Sequence, residues 1–131
     1  MKILFIDEEA PLVDIYYNFF KKNGWDFLTT YNIPKALEIA EIEKPDAVLL
    51  DIVIPLPENV IAEQGYDFLK QIKDNPETKD IPVIVFSNLD TPKDRQKSKD
   101  LGASAFIFKR DCSPKEVFET VNEVIKRIRN N

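Results

Sequence analysis

Apolar residues along the chain fall into two patterns that alternate. Short runs rich in β-branched and aromatic residues, several with both faces apolar, occupy Ile3 to Ile6, Asp26 to Tyr31, Ala47 to Leu50, Ile81 to Phe86 and Ser104 to Phe108. Their length and composition predict strands. Longer amphipathic segments lie between and after them, at Pro11 to Asn23, Pro34 to Glu43, Tyr66 to Asp74, Pro92 to Leu101 and Pro114 to Arg129. These predict helices, four of them opened by a proline whose fixed φ suits a first turn. Gly24 and Gly102 follow the first and fourth helices, where a left-handed residue commonly ends a helix. Five strand–helix alternations predict an α/β fold: a parallel five-stranded sheet, doubly wound as (βα)5, with right-handed crossovers. No repeat, low-complexity tract or linker interrupts the pattern, so residues 1–131 are expected to form a single domain.

Composition agrees and narrows the partners. Of 131 residues, 44% are apolar and 31% charged, enough to fill one core and to cover it. The net charge of -5 and a pI near 4.8 argue against a nucleic-acid binder, which needs a basic face. The opening "KILFID" is too short for a signal peptide or a membrane span, so a cytoplasmic location and no membrane contact are expected. A single cysteine, Cys112, fits a reducing compartment and supplies no zinc framework. The absence of histidine excludes Ser-His-Asp and Cys-His nucleophile systems. Three widely separated glycines exclude both GxGxxG turns and P-loops.

In an open parallel sheet, working groups gather beyond the carboxyl ends of the strands. Here those ends carry Asp7 and Glu8, then Asp51, Ser87 and Lys109. Asp51 ends the apolar run "AVLLD", and a charge at the end of a buried strand is costly without compensation. Asp7, Glu8 and Glu9 have an alternative reading as groups facing the start of the first helix. Three neighbouring carboxylates would raise one another's pKa values, however, and an all-oxygen set of this kind suits Mg²⁺.

The segments "FIDEE", "PDAVLLDIVIP", "VIVFSN" and "GASAFIFK", in that order over essentially the whole chain, resemble the CheY-like receiver domain of two-component response regulators. The resemblance implies the strand order 2-1-3-4-5. It implies a phosphorylation-dependent signalling switch in which Asp51 accepts a phosphoryl group from a phosphohistidine on a sensor histidine kinase or a histidine phosphotransfer protein. It also implies Mg²⁺ held by Glu8 and Asp51, by Asp7 through water and by the backbone carbonyl of Val53. Lys109 would pair with the phosphoryl oxygens and Ser87 would donate its hydroxyl to them. Ser87 and Phe106 would then switch, reshaping the face of the fourth helix, fifth strand and fifth helix for a downstream protein partner, as a monomer or a phosphorylation-linked dimer. No activity is expected beyond the chain's own phosphotransfer and slow self-dephosphorylation, and no effector domain is expected after Arg129.

Several positions depart from the family pattern. Glu8 stands where aspartate is usual. Asn88 is larger than the usual alanine or glycine and is expected to narrow access. Val53 and Leu89 are apolar and cannot orient an attacking water, which predicts slow hydrolysis. Arg110 replaces the usual proline, so Lys109 is expected to be less rigidly aimed. The segment "LPENVIAEQ", residues 56–64, is longer than the usual turn and is read as a partner-specific flap or a tolerated insertion. On the first helix, Leu12, Ile15, Tyr16 and Phe19 are expected in the core, leaving Val13, Tyr17 and Phe20 as an apolar docking stripe. The fourth helix, almost without an apolar face, is expected to be loosely held.

Other functions remain as alternatives. The chain is alternatively a phosphate-independent interaction module with a degenerate site. An aspartyl-nucleophile phosphatase would need DxDxT, which neither "DEEAP" nor "DIVIP" supplies. Flavin binding is disfavoured by the acidic loop after the first strand.

Overall fold

The computed structural model describes residues 1–56 and 62–130. Its elements run β1 (Lys2–Ile6), α1 (Ala10–Lys22), β2 (Asp26–Thr30), α2 (Ile33–Glu43), β3 (Ala47–Leu50), α3 (Gln64–Asp74), β4 (Val83–Ser87), α4 (Pro92–Asp100), β5 (Ala105–Phe108) and α5 (Pro114–Arg129), with a 3-10 turn at Lys109–Asp111. The sheet is parallel throughout, in the order β2-β1-β3-β4-β5. This is the doubly wound α/β fold expected from the alternation.

Alternate residues of each strand feed two cores. Leu4, Ile6, Val48, Leu50, Val83 and Val85 pack against α2 and α3 on one face. Ile3, Phe5, Leu49, Ile84, Phe86 and Ile107 pack against α1 and α5 on the other. Both faces are dry, which is why the strands read as continuous apolar runs instead of alternating ones.

Helix ends follow local chemistry. Asn32, Thr91 and Ser113 cap α2, α4 and α5, and Ser113 forms a reciprocal box with Glu116. Gly24 and Gly102 adopt φ of 83° and 101°, as their positions after α1 and α4 predict.

Two expectations are corrected. Phe20 is not on an outward stripe of α1; it is fully buried, edge-on to Trp25 and Phe118. Ile15, expected in the core, is 52% exposed, and Tyr17 is 45% exposed with its ring against Phe27. The physical cause is that α1 packs on both the sheet and α5, so its buried arc centres on Tyr16 and Phe20 and places Ile15 outside it. The fourth helix has little apolar surface, as its sequence predicts, with Ser98 its only buried residue, and polar contacts join it to its neighbours. The Tyr66 hydroxyl donates to Asp94 at 2.8 Å, the Lys97 ammonium sits 4.1 Å from the centre of the Tyr66 ring, and the Arg95 guanidinium lies 4.9 Å from the centre of Phe106.

The segment expected to act as a flap, residues 56–64, lies mostly outside the described residues. Its return is fixed: Ile54 pairs with Glu63 in a parallel bridge, and the Gln64 amide donates to the carbonyls of Ile54 and Pro55.

Candidate functional site

Side chains beyond the carboxyl ends of β1, β3, β4 and β5 meet in one place because the parallel register brings those ends level. Ile6 aligns with Leu50, Leu50 with Val85, and Ser87 with Phe108. The next residues therefore converge. A cavity of about 370 Å³ is lined by Glu8, Glu9, Asp51, Ser87, Lys109 and Arg110, with Val53, Asn88 and Leu89 completing the wall.

Lys109 organises this cavity. Its ammonium lies 2.8 Å from Asp7 Oδ2, 2.9 Å from Glu9 Oε2 and 3.1 Å from Asp51 Oδ2, and its side chain is only 7% exposed. The expected looseness of Lys109 is not found, because three carboxylates anchor it. Burial alone would lower its pKa, but Asp51 and Asp7 beside it raise it above the usual lysine value. The group is thus a fixed cation.

The two buried acids respond the other way. Burial is the largest influence on Asp51 and holds its carboxyl up at about 6; Lys109 pulls it down and Asp7 pushes it further up. Asp7 is raised as well, again chiefly by burial and against the pull of Lys109. One Asp51 oxygen accepts from the Val53 backbone N–H at 3.3 Å while the other faces Lys109. Asp7 Oδ1 accepts from the Glu9 backbone N–H at 2.9 Å. Asp7 Oδ2 is close to Lys109 but off the line of a hydrogen bond, so among the described residues this buried oxygen has no aligned donor.

Capping does not account for the acids after β1. Glu9 is the N-cap of α1 and makes no side-chain cap bond; its carboxylate turns to Lys109 instead. Glu8 is exposed at the cavity wall. Among the described residues, no three acidic side chains are arranged as a ready-made ion site; the three that gather do so around the Lys109 ammonium. The residues present nonetheless suit a hard cation: two buried carboxylates with pKa values raised by burial, one oxygen lacking a donor, and a wall with the Val53 backbone and Glu8 adjacent.

Ser87 is fully buried, and its hydroxyl oxygen accepts from the Leu89 backbone N–H at 3.1 Å. Asn88 is exposed where it lines the cavity. Phe106 is half-buried, packed on the core shared with α2 and α3 under Arg95.

Two contributors escape a reading of the sequence. Glu9 joins Lys109 across a hundred residues of chain, and nothing in "DEEAP" distinguishes it from Glu8. Gly65 packs against the backbone after Asp51, where a Cβ would lie 2.4 Å from the Asp51 carbonyl oxygen. Its signal was available: a lone glycine just ahead of an apolar helix face marks a close approach.

Comparison with known proteins agrees with this geometry. The response regulator receiver domain profile matches residues 3–122. The phosphate regulon transcriptional regulatory protein PhoB of Escherichia coli (strain K12) is 28% identical over 97% of this chain and 52% of its own length. The alkaline phosphatase synthesis transcriptional regulatory protein PhoP of Bacillus subtilis (strain 168) is 29% identical over 96% of this chain and 49% of its own. The chain thus spans about half the length of these curated relatives. Among solved structures, a CheY-like response regulator receiver domain protein from Methanospirillum hungatei JF-1 superposes with a TM-score of 0.84 at 19% identity, over 98% of this chain and 96% of that one. The receiver domain of Klebsiella pneumoniae RstA, in a BeF3-activated form, gives 0.81 at 22% identity, over 95% and 98%. These structures share the fold. With the profile spanning nearly all of the sequence, the chain belongs to the response regulator receiver domain family.

Proposed function

We propose that Asp51 accepts a phosphoryl group from a phosphohistidine on a sensor kinase or a histidine phosphotransfer protein, and that the resulting acyl phosphate switches the chain between two conformations. Membership of the family implies two-component signalling, with histidine kinases or phosphotransfer proteins upstream and effectors downstream. The observation that carries the assignment to Asp51 is its position: a buried carboxylate, 3.1 Å from a fixed ammonium, on the wall of an open cavity.

The chemistry asked of the protein is mainly positioning. One Asp51 oxygen attacks phosphorus in line, the bond from phosphorus to the donor's imidazole nitrogen breaks, and the donor histidine leaves with the electron pair. Lys109 supplies a point charge for the phosphoryl oxygens, and Ser87 turns its hydroxyl from the loop toward them. Receiver domains generally bind Mg²⁺ at this site. Asp7, Asp51, Glu8 and the Val53 carbonyl would hold it, and when bound it offsets charge on the transferring group. Phe106, half-buried beneath Arg95, would turn inward once Ser87 moves. Val53 and Leu89 offer no group to orient water, so the acyl phosphate is long-lived, and the chain catalyses nothing beyond its own transfer and slow hydrolysis.

A second reading, a phosphate-independent interaction module, is favoured by one observation: Glu8 stands exposed and no third acid joins Asp7 and Asp51 in an ion site among the described residues. Intact mass after incubation with acetyl phosphate and Mg²⁺ separates the two. A single phosphoryl adduct that requires Mg²⁺ and is lost in Asp51→Asn supports the switch; no adduct and no Mg²⁺ binding supports the module.

A further inference from the structure

Three carboxylates surround the ammonium of Lys109. Its N–H groups donate to Glu9 and Asp51 while Asp7 lies 2.8 Å away off the hydrogen-bond line, so a phosphoryl group arriving on Asp51 finds its cation already shared among three anions. One partner has to give way, and the three differ in how readily they can. Asp7 and Asp51 are buried and held by backbone N–H groups of Glu9 and Val53. Glu9 is different: its side chain is 52% exposed, its carboxylate has no contact with a cation other than Lys109 among the described residues, and rotation takes it into water.

We propose that Glu9 is a positioning residue that holds Lys109 in the resting state and competes with the incoming phosphoryl group for it. This rests on the reading of Asp51 as phosphoacceptor. Glu9 stands on the first turn side of α1, on the wall of the same cavity as Asp51, so its negative charge also opposes an anionic donor at the entrance. Exposure makes the contact with Lys109 breakable and sensitive to salt, unlike the two buried contacts. Glu9 thus sets how fast the site is charged without touching the reacting atoms.

The test uses acetyl phosphate, for which the step balances simply: an Asp51 oxygen bonds to phosphorus, the bond from phosphorus to the acetyl oxygen breaks, and acetate leaves with the electron pair. Three proteins are compared in Mg²⁺ by intact mass over time: wild type, Glu9→Gln, and Asp14→Asn. Asp14, exposed on α1, does not line the cavity and controls for the change in net charge. Glu9→Gln is expected to charge about three- to fivefold faster than the other two, and the difference is expected to shrink as salt rises toward the molar range. In metal-free protein, the Lys109 ammonium proton signals in an NMR spectrum are expected to exchange faster with water in Glu9→Gln alone. Equal rates in all three proteins, or equal acceleration in Asp14→Asn, would overturn the role of Glu9 and leave Asp51 as acceptor. No adduct in any of them would overturn the Asp51 reading, and this proposal with it.

Discussion

Gly65 packs so closely on the chain after Asp51 that its N–H donates to the Ile52 carbonyl at 2.9 Å and a Cβ would meet the Asp51 carbonyl oxygen at 2.4 Å. The start of α3 is therefore wedged against the loop that carries the candidate acceptor, with backbone atoms on both sides of the contact. Gly65→Ala is expected to cost about 1–3 kcal/mol through forced backbone shifts. Urea denaturation measures it, and an unchanged midpoint would mean that α3 can slide away from the loop without penalty.

Burial of Asp51 has a consequence for pH dependence. With its carboxyl at about 6 in the folded protein against an ordinary 3.8, the folded state binds more protons than the unfolded chain between those values. Stability from this group is complete below about pH 4 and is lost as pH rises through about 6. In metal-free solution Asp51→Asn is expected to be more stable than wild type at neutral pH by about 1–3 kcal/mol, with the gap closing at about pH 4. Denaturation at the two pH values checks the sign; a variant less stable than wild type at neutral pH would show that the Lys109 contact outweighs burial.

The same repulsion and desolvation predict a response to metal. Mg²⁺ binding to the folded state alone would add about 2.7 kcal/mol at a concentration a hundred times its Kd. Thermal melts with and without Mg²⁺ are expected to separate for wild type and to coincide for Asp51→Asn. Coincident wild-type melts would count against the ion site.

On α1 the buried arc sets the outcome of two substitutions that the sequence alone ranks wrongly. Phe20 fills space among Trp25, Phe27 and Phe118, so Phe20→Ala is expected to cost about 3–5 kcal/mol. Ile15 is half in water, and Ile15→Ala is expected to stay within about 0.5 kcal/mol of wild type. Calorimetric melting of both variants decides it.

Tyr66 follows Gly65 directly and ties α3 to the first turn of α4 through Asp94, which also binds Thr91. Tyr66→Phe removes that bond and is expected to cost about 1 kcal/mol. Hydrogen exchange of the α4 amides measures the local effect: faster exchange there than elsewhere is expected, whereas a uniform change would assign the loss to the core.

Much of this protein was legible before any coordinates. Period and punctuation marked five strands and five helices, and the residues after the strands identified Asp7, Asp51, Ser87 and Lys109 as neighbours, because a parallel sheet leaves its strand ends at one edge. Boundaries moved by a residue or two: α3 begins at Gln64, ahead of the expected Tyr66, and β4 at Val83, after Pro82. Such information is local, and the chain carries it as periodicity.

Tertiary structure decided the rest. Which arc of α1 is buried depends on α5, a partner a hundred residues away, so both Tyr17–Phe20 and Leu12–Phe19 looked equally apolar in the sequence. How firmly Lys109 is held depends on three carboxylates from two strand ends and a helix cap, and the residue that follows it says nothing about them. The seating of α4 rests on cation–π and hydrogen-bonding contacts that its charge-rich sequence reads simply as solvation. Apolar spacing encodes which residues avoid water, whereas the pairing of polar groups is fixed only when the sheet brings distant segments within a few ångströms of one another.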